Sequence, residues 1–169
     1  MMKKRRMVKV YRFIAIKHFY NLAGYLLPIL AVFVLILGTY GSIGGLYLAP
    51  ADYQQGDAFR IIYVHVPSAF LSLFIYLVMA MAAVIGLIFR IKLADLIVSG
   101  SVFLGSWFTF LALLTGSVWA KPMWGAWWVW DARLTSELIL LFLYLGVIAL
   151  RSAIPEPRVA AKATAVLLM

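Results

Sequence analysis

Four long apolar stretches constrain this chain more than any other feature. They cover about residues 22–40, 66–89, 96–119 and 136–150, and a fifth apolar run opens near residue 163. About 20 helical residues cross the hydrocarbon core of a bilayer, and only helices or closed barrels satisfy backbone polar groups in lipid. Hydrophobic residues make up 66% of the sequence, well above the ~45–50% of soluble domains. We therefore predict an all-α integral membrane protein, a polytopic bundle of four complete transmembrane helices plus the start of a fifth.

The distribution of basic residues predicts how the bundle is oriented. Twelve of the 15 Lys and Arg residues lie before the first apolar stretch, in the 90–95 loop or in residues 151–162. The three others are Arg60, Lys121 and Arg133. The positive-inside rule then places the N-terminus in the cytoplasm and the 41–65 and 120–135 loops outside. The net charge of +9 is explained by this orientation, so nucleic acid is not an expected partner. We divide the chain into a basic cytoplasmic segment, 1–21, and a transmembrane domain, 22–169.

Tryptophan is concentrated in one predicted outer loop. Five of the six tryptophans lie between Trp119 and Trp130, and residues 124–135 read WGAWWVWDARLT. If residues 124–131 are helical, Trp124, Trp127, Trp128 and Asp131 share one face. This pattern predicts an interfacial helix whose aromatic surface suits a flat, electron-rich ligand. Lys121 and Arg133 are candidates for carboxylate recognition. An aromatic belt at the headgroup level is the alternative interpretation of the same tryptophans.

His65 is predicted to lie on the same side of the membrane as the tryptophans. Pro67 is tolerated near a helix start, which puts His65 just before the second span or in its first turn. The positive end of the helix there disfavours imidazolium, so a neutral ring nitrogen is available as a metal ligand. An interfacial histidine bonded to a neighbour or to water remains the alternative. His18 is predicted to lie on the opposite, cytoplasmic side.

Several missing features exclude other classes of protein. The chain contains no cysteine, which excludes disulfides, thiolate metal sites and covalent heme attachment through C-x-x-C-H. It also lacks a phosphate-binding P-loop. Thr135 or Ser136 is predicted to cap the fourth span and Glu137 to lie in its first turn, both with structural roles. With Glu137 in the first turn, the interiors of the four predicted spans carry no ionisable residue, which disfavours an ion pump.

The tryptophan run resembles the WWD signature of heme-handling membrane proteins in cytochrome c biogenesis. Its amino-acid sequence is similar to that of the heme exporter protein C family. The similarity extends to Ala49–Gly56, to Arg60–Pro67 and to Lys121–Trp124. The resemblance implies that the WWD segment is a periplasmic platform for non-covalently and transiently bound heme b, and that His65 is an axial ligand of the heme iron. The remaining implied binding residues are Trp124, Trp127, Trp128, Trp130, Asp131 and Arg133, with the two charged groups orienting the loop or the propionates.

The resemblance also implies a location, a set of partners and a function. A multi-pass protein of the bacterial inner membrane would bind heme at the periplasmic face and pass it to a periplasmic heme chaperone. It would work beside the ATPase and permease subunits of an ATP-binding-cassette complex, a small single-span subunit and membrane lipid. It would not itself be an enzyme. A heme lyase that joins heme to apocytochrome c, and a structural subunit that docks partners, are the alternatives.

The resemblance also implies a second histidine ligand in an outer loop between spans five and six. This sequence offers only His18 besides His65, on the other side of the membrane. Because the sequence ends within an apolar run, we expect a truncated gene model or fragment. Supply of the second ligand by a partner is the alternative.

Overall fold

The structure is a computed structural model that describes residues 16–169. It contains five α-helices: α1 (Ile16–Ile43), α2 (Ile62–Phe89), α3 (Lys92–Trp124), α4 (Ala132–Ala153) and α5 (Pro157–Leu168). A π-helical turn, Gly44–Leu48, and a 3₁₀ turn, Asp57–Ile61, lie between α1 and α2. Most of the predicted basic segment, residues 1–15, lies outside the described residues.

Helices α1 to α4 are each long and apolar enough to cross a membrane. This confirms the predicted polytopic, all-α membrane protein, and α5 is the predicted fifth helix. Helices α2, α3 and α4 each begin one turn before the apolar stretch that predicted them. Each extra turn carries at least one polar or charged side chain, so it extends past the part of the helix that hydropathy detects.

The core lies where α2, α3 and α4 meet, and α3 is its central element. Small residues recur along the buried face of α3, which lets neighbouring backbones approach closely. They are Ala94, Val98, Val102, Gly105, Thr109, Ala112, Gly116 and Ala120. A Cβ at Gly105 would overlap the ring of Tyr144, which is fully buried. Gly105 therefore allows close packing between α3 and α4.

Helix α5 adds Ala165 and Leu168 to this core, whereas α1 lies outside it. Helix α5 packs on α2 and α4 and buries Ala160, Thr164, Ala165 and Leu168. Helix α1 buries none of its residues, and it mainly contacts the π-helical turn that follows it. In that turn Gly45 lies against Tyr63, whose Cγ would be 2.7 Å from a Cβ at residue 45. The turn therefore fixes the end of α1 to the start of α2.

The tryptophan-rich segment is not the helix that its spacing predicted. Helix α3 ends at Trp124, because Gly125 adopts a left-handed conformation (φ 74°) and its N–H bonds to the Lys121 carbonyl. Glycine at this position is the common way to terminate a helix. Residues 125–131, called the tryptophan loop below, are bent at 125–127 and then irregular up to Asp131, whose backbone is extended. The predicted stripe of Trp124, Trp127, Trp128 and Asp131 on one helical face is therefore wrong.

The predicted cap of the fourth span is also wrong. Asp131 caps α4, since its carboxylate accepts a hydrogen bond from the Leu134 N–H at 2.8 Å. Aspartate is among the best capping residues, and it starts the helix early enough to place Thr135 and Ser136 inside it.

Glu137 consequently lies inside α4 rather than in its first turn. Its side chain is half-buried, and Oε1 lies 2.7 Å from the hydroxyl oxygen of Ser72 on α2. Glu137 belongs to the part of α4 that can span a membrane. The prediction that the span interiors lack ionisable residues therefore does not hold for α4.

Candidate functional site

His65 lies in the first turn of α2, as predicted, and points toward α3. Its Nδ1 is 3.0 Å from the Ala112 carbonyl oxygen and 3.0 Å from the Thr115 hydroxyl oxygen. The Thr115 hydroxyl donates to the Leu111 carbonyl at 2.7 Å. Because both neighbours of Nδ1 present an accepting oxygen, Nδ1 carries the proton and donates it toward α3. The imidazole is thereby fixed in orientation and in tautomer.

The other ring nitrogen of His65 remains available for a ligand. Within residues 16–169, Nε2 makes no hydrogen bond, and it is not among the buried polar atoms without a partner. A histidine whose Nδ1 donates to a backbone carbonyl presents an unprotonated Nε2, which is the usual arrangement for a metal-binding imidazole. The geometry of His65 therefore suits it to bind a metal.

A groove of about 320 Å³ opens in front of His65. Its size is at the lower end of the range of ligand pockets. Its lining is drawn from the connection between α1 and α2 (residues 44–61, called the first loop below), from α2, α3 and α4, and from the tryptophan loop: Gln55, His65, Gly116, Trp119, Ala120, Met123, Trp124, Asp131, Arg133 and Leu134. The walls are mainly apolar and aromatic, and the charged groups Asp131 and Arg133 lie two positions apart in the sequence and form an ion pair. An apolar ligand with polar substituents at one edge would match this distribution.

Gly116 and Trp119 shape the groove beside His65. A Cβ at Gly116 would lie 3.0 Å from His65 Cε1 and 3.3 Å from Leu134 Cδ2, so only glycine leaves the present spacing undisturbed. The Trp119 indole meets the imidazole edge to face, with centroids 5.8 Å apart. Its N–H donates to Gln55 Oε1 at 2.9 Å. This bond ties the first loop to α3.

The loop that carries Gln55 is held by its own polar contacts. The Asp52 carboxylate accepts from the backbone N–H groups of Gln54 and Gln55, at 2.9 and 2.8 Å. Gly56 turns the chain with φ 58°. Arg60 donates to the Ala49 carbonyl at 3.0 Å, which closes the loop at its base. Gln55 is therefore positioned by the fold before any ligand arrives.

Asp131 and Arg133 form a fixed charged pair at the edge of the groove. Arg133 donates through Nη2 to Asp131 Oδ2 at 2.8 Å, and its guanidinium lies 5.4 Å from the Trp124 ring centroid. The Leu134 N–H and then the Arg133 side chain lower the pKa of Asp131, because both stabilise the carboxylate. Asp131 therefore holds Arg133 over an aromatic face and caps α4 with its other oxygen.

The other predicted site residues lie outside the groove lining. Trp127 and Trp130 are 58% and 75% exposed. Trp128 packs edge to face on Trp130 with centroids 5.4 Å apart, and its buried indole nitrogen has no partner within residues 16–169. Lys121 donates to the Gly125 carbonyl at 2.9 Å and lies 6.0 Å from the Trp127 centroid. Lys121 thus supports the tryptophan loop rather than the groove.

The structure therefore brings four of the predicted residues together: His65, Trp124, Asp131 and Arg133. It adds Gln55, Gly116 and Trp119, which sequence reasoning did not select as site residues. Helical spacing carries a signal for two of them, since Gly116 and Trp119 follow Ala112 on the face of α3 turned to His65. No local pattern marks Gln55, because its hydrogen bond to Trp119 forms only when the chain folds.

Comparison with known proteins gives a consistent match. The family model for heme exporter protein C matches residues 9–169. The chain is 54% identical over 150 residues to heme exporter protein C of Escherichia coli (strain K12), covering 89% of this chain and 61% of that protein. It is 53% identical over 148 residues to the Haemophilus influenzae protein of the same name, covering 88% of this chain and 60% of that one.

A more distant relative gives the same result. Heme exporter protein C of Bradyrhizobium diazoefficiens is 49% identical over 152 residues, covering 88% of this chain and 56% of that protein. The chain thus spans about three fifths of the length of the curated relatives that it matches. With the family model covering nearly the whole sequence, the chain belongs to the heme exporter protein C family.

Proposed function

We propose that this protein handles heme during cytochrome c maturation, binding it at the periplasmic face and passing it to a periplasmic heme chaperone. The observation that carries the proposal is the state of His65. Its Nδ1 is tied to the Ala112 carbonyl, while Nε2 has no partner within residues 16–169. The names of the relatives support heme as the cargo.

The groove residues fit a heme. Nε2 of His65 would supply an axial nitrogen, and Trp119 and Trp124 would contact the porphyrin faces or edges. Arg133 would pair with a propionate, because a guanidinium forms strong charge-assisted bonds to carboxylates. Without cysteine, binding of heme b would be non-covalent. Transient, reversible loading is what a transfer protein requires.

The exposed tryptophans support a docking role beside the groove. Trp127 and Trp130 lie on the tryptophan loop, with most of their ring surface uncovered. Exposed aromatic side chains are enriched among residues that dominate protein interfaces. We propose that they contact the heme chaperone, while the ATP-binding-cassette subunits and the small single-span subunit pack elsewhere on the bundle. The protein itself would act in binding and transfer, not as an enzyme.

The proposal places the protein in the bacterial inner membrane with its N-terminus in the cytoplasm. The distribution of Lys and Arg supports this orientation. His65 is the only imidazole that lines the groove among residues 16–169. Any second histidine ligand would therefore come from outside residues 16–169.

Heme absorption tests the assignment of His65. The protein, purified from membranes with its partners, should carry heme with a Soret band, and His65→Ala should lower the ratio of heme to protein by about tenfold. His18→Ala is the matched control, since His18 lies near the start of α1 and does not line the groove. A Soret band unchanged in His65→Ala would overturn the assignment.

The destination of the heme separates transfer from the two alternatives. Heme recovered on a periplasmic chaperone supports transfer, whereas heme recovered directly on a C-x-x-C-H apoprotein would support a lyase. A structural docking subunit would keep a normal heme content after His65→Ala. It would lose only its partners when Trp127 and Trp128 are replaced by alanine.

A further inference from the structure

A small polar cluster lies inside the bundle, away from the groove lining. Ser72 of α2 is fully buried, and its hydroxyl oxygen lies 2.7 Å from Glu137 Oε1 and 2.8 Å from the Ala69 carbonyl oxygen. Tyr144 of α4 donates its hydroxyl proton to the Ser72 carbonyl at 2.7 Å. The ring of Tyr144 fills the space that Gly105 leaves on α3. The cluster therefore joins α2, α3 and α4 at one level.

The hydrogen bonds of Ser72 bear on the protonation of Glu137. A serine hydroxyl carries one proton, yet two oxygens lie within hydrogen-bonding distance of it. The Ala69 carbonyl can only accept. Both contacts are fully satisfied when Ser72 donates to Ala69 and Glu137 donates to Ser72, which requires the carboxyl to be protonated. A protonated carboxyl also avoids the cost of a charge within a membrane span.

The cluster lies directly behind the groove. Ser72 follows His65 by seven residues, two turns further along the same face of α2. Glu137 follows Leu134 by three residues, one turn further along α4, and Leu134 lines the groove. The contact between Ser72 and Glu137 therefore joins the two helices that carry His65 and Leu134. Any change in the separation of these helices would change the width of the groove.

We propose that Glu137 is a neutral carboxylic acid that donates to Ser72 and positions α2 against α4 for heme binding. Glu137 is thus a positioning residue, not a ligand, because it does not line the groove. This inference rests on the proposed heme-binding function of His65. It adds a half-buried carboxyl as a structural determinant of the groove.

Infrared spectroscopy tests the protonation state. The purified protein should show the C=O stretch of a protonated carboxylic acid in a hydrophobic environment, and Glu137→Gln should remove that band. Absence of the band from the unsubstituted protein, or its persistence in Glu137→Gln, would overturn the assignment of a neutral carboxyl.

Heme content tests the positioning role. Glutamine retains the shape and can donate an N–H to Ser72, so Glu137→Gln should keep nearly normal heme content and Soret position. Glu137→Leu and Ser72→Ala remove the contact and should each lower the heme content by about fivefold, the effect of one hydrogen bond. Ser136 is an exposed neighbour of Glu137 on α4. Ser136→Leu is therefore the matched control for the added apolar side chain.

The outcomes separate this inference from the proposed function. If His65→Ala lowers the heme content but Glu137→Leu and Ser72→Ala do not, Glu137 has no positioning role, although heme binding stands. If Glu137→Gln loses heme as severely as Glu137→Leu, a hydrogen bond from residue 137 to Ser72 does not position the two helices and the inference is wrong. If His65→Ala leaves heme unchanged, the proposed function fails independently of the infrared result.

Discussion

At the scale of single residues, Gly116 controls how closely His65 and α4 approach α3. We predict that Gly116→Ala lowers heme affinity by about tenfold, because the added methyl group would press on the imidazole and on Leu134 and such overpacking costs about 1–3 kcal/mol. Heme titration of the protein in detergent, followed at the Soret band, measures the change.

Gly100→Ala provides the matched comparison on the same helix. A Cβ at Gly100 meets no atom within 4 Å, and alanine favours the helix over glycine. Heme affinity should therefore be unchanged and thermal stability equal or higher. Equal affinity of the two alanine variants for heme would show that the close approach at Gly116 does not matter for the groove.

Residue chemistry allowed only part of the site to be predicted. His65 could be selected as a site residue because histidine is uncommon at the start of an apolar span, and because the predicted orientation places it on the same side as the tryptophans. The tautomer of its ring could not be predicted, because the Ala112 carbonyl that fixes the tautomer lies 47 positions away in the sequence. Gln55 and Trp119 are paired across 64 positions, a contact that no local pattern encodes.

At the scale of elements, two residues determine the shape of the tryptophan loop. Gly125 ends α3 in a left-handed conformation, and Asp131 starts α4 by accepting the Leu134 N–H. Helical spacing of the tryptophans predicted an interfacial helix over residues 124–131, but the glycine and the cap lie within that same run and interrupt it. Periodicity alone was therefore misleading where the stop and start signals of helices were present.

The cap gives a pH-dependent prediction. Asp131→Ala should lower the thermal midpoint by a few degrees at neutral pH, whereas Asp131→Asn should lower it less, because asparagine also caps helices but does not pair with Arg133. Since the pKa of folded Asp131 is lowered, its charge stabilises the fold above the ordinary aspartate pKa of about 3.9. That stabilisation is lost as the pH falls through the lowered folded value.

Thermal unfolding of the unsubstituted protein and Asp131→Asn, compared over a range of pH, measures this effect. The difference between their midpoints should be constant near neutrality and should shrink only in acid. A difference that is independent of pH would show that the Asp131 charge contributes nothing to stability, and would leave the carboxylate with a capping role alone.

At the scale of the whole molecule, the groove, the first loop and the tryptophan loop lie at one end of the bundle. The apolar stretches predicted this architecture because span length follows directly from bilayer thickness. Hydropathy does not encode which helices touch, and the packing of α5 on α2 and α4 depends on small buried residues such as Ala160 and Ala165.

The absence of cysteine from the sequence makes the orientation directly measurable. Single-cysteine variants at Tyr53, 90% exposed in the first loop, and at Lys92, exposed at the start of α3, probe opposite ends of the bundle. A membrane-impermeant maleimide should label Tyr53→Cys in intact spheroplasts and Lys92→Cys only after lysis, because the ~30 Å hydrocarbon core blocks the reagent. The reverse pattern would place the groove in the cytoplasm, where it could not deliver heme to a periplasmic chaperone.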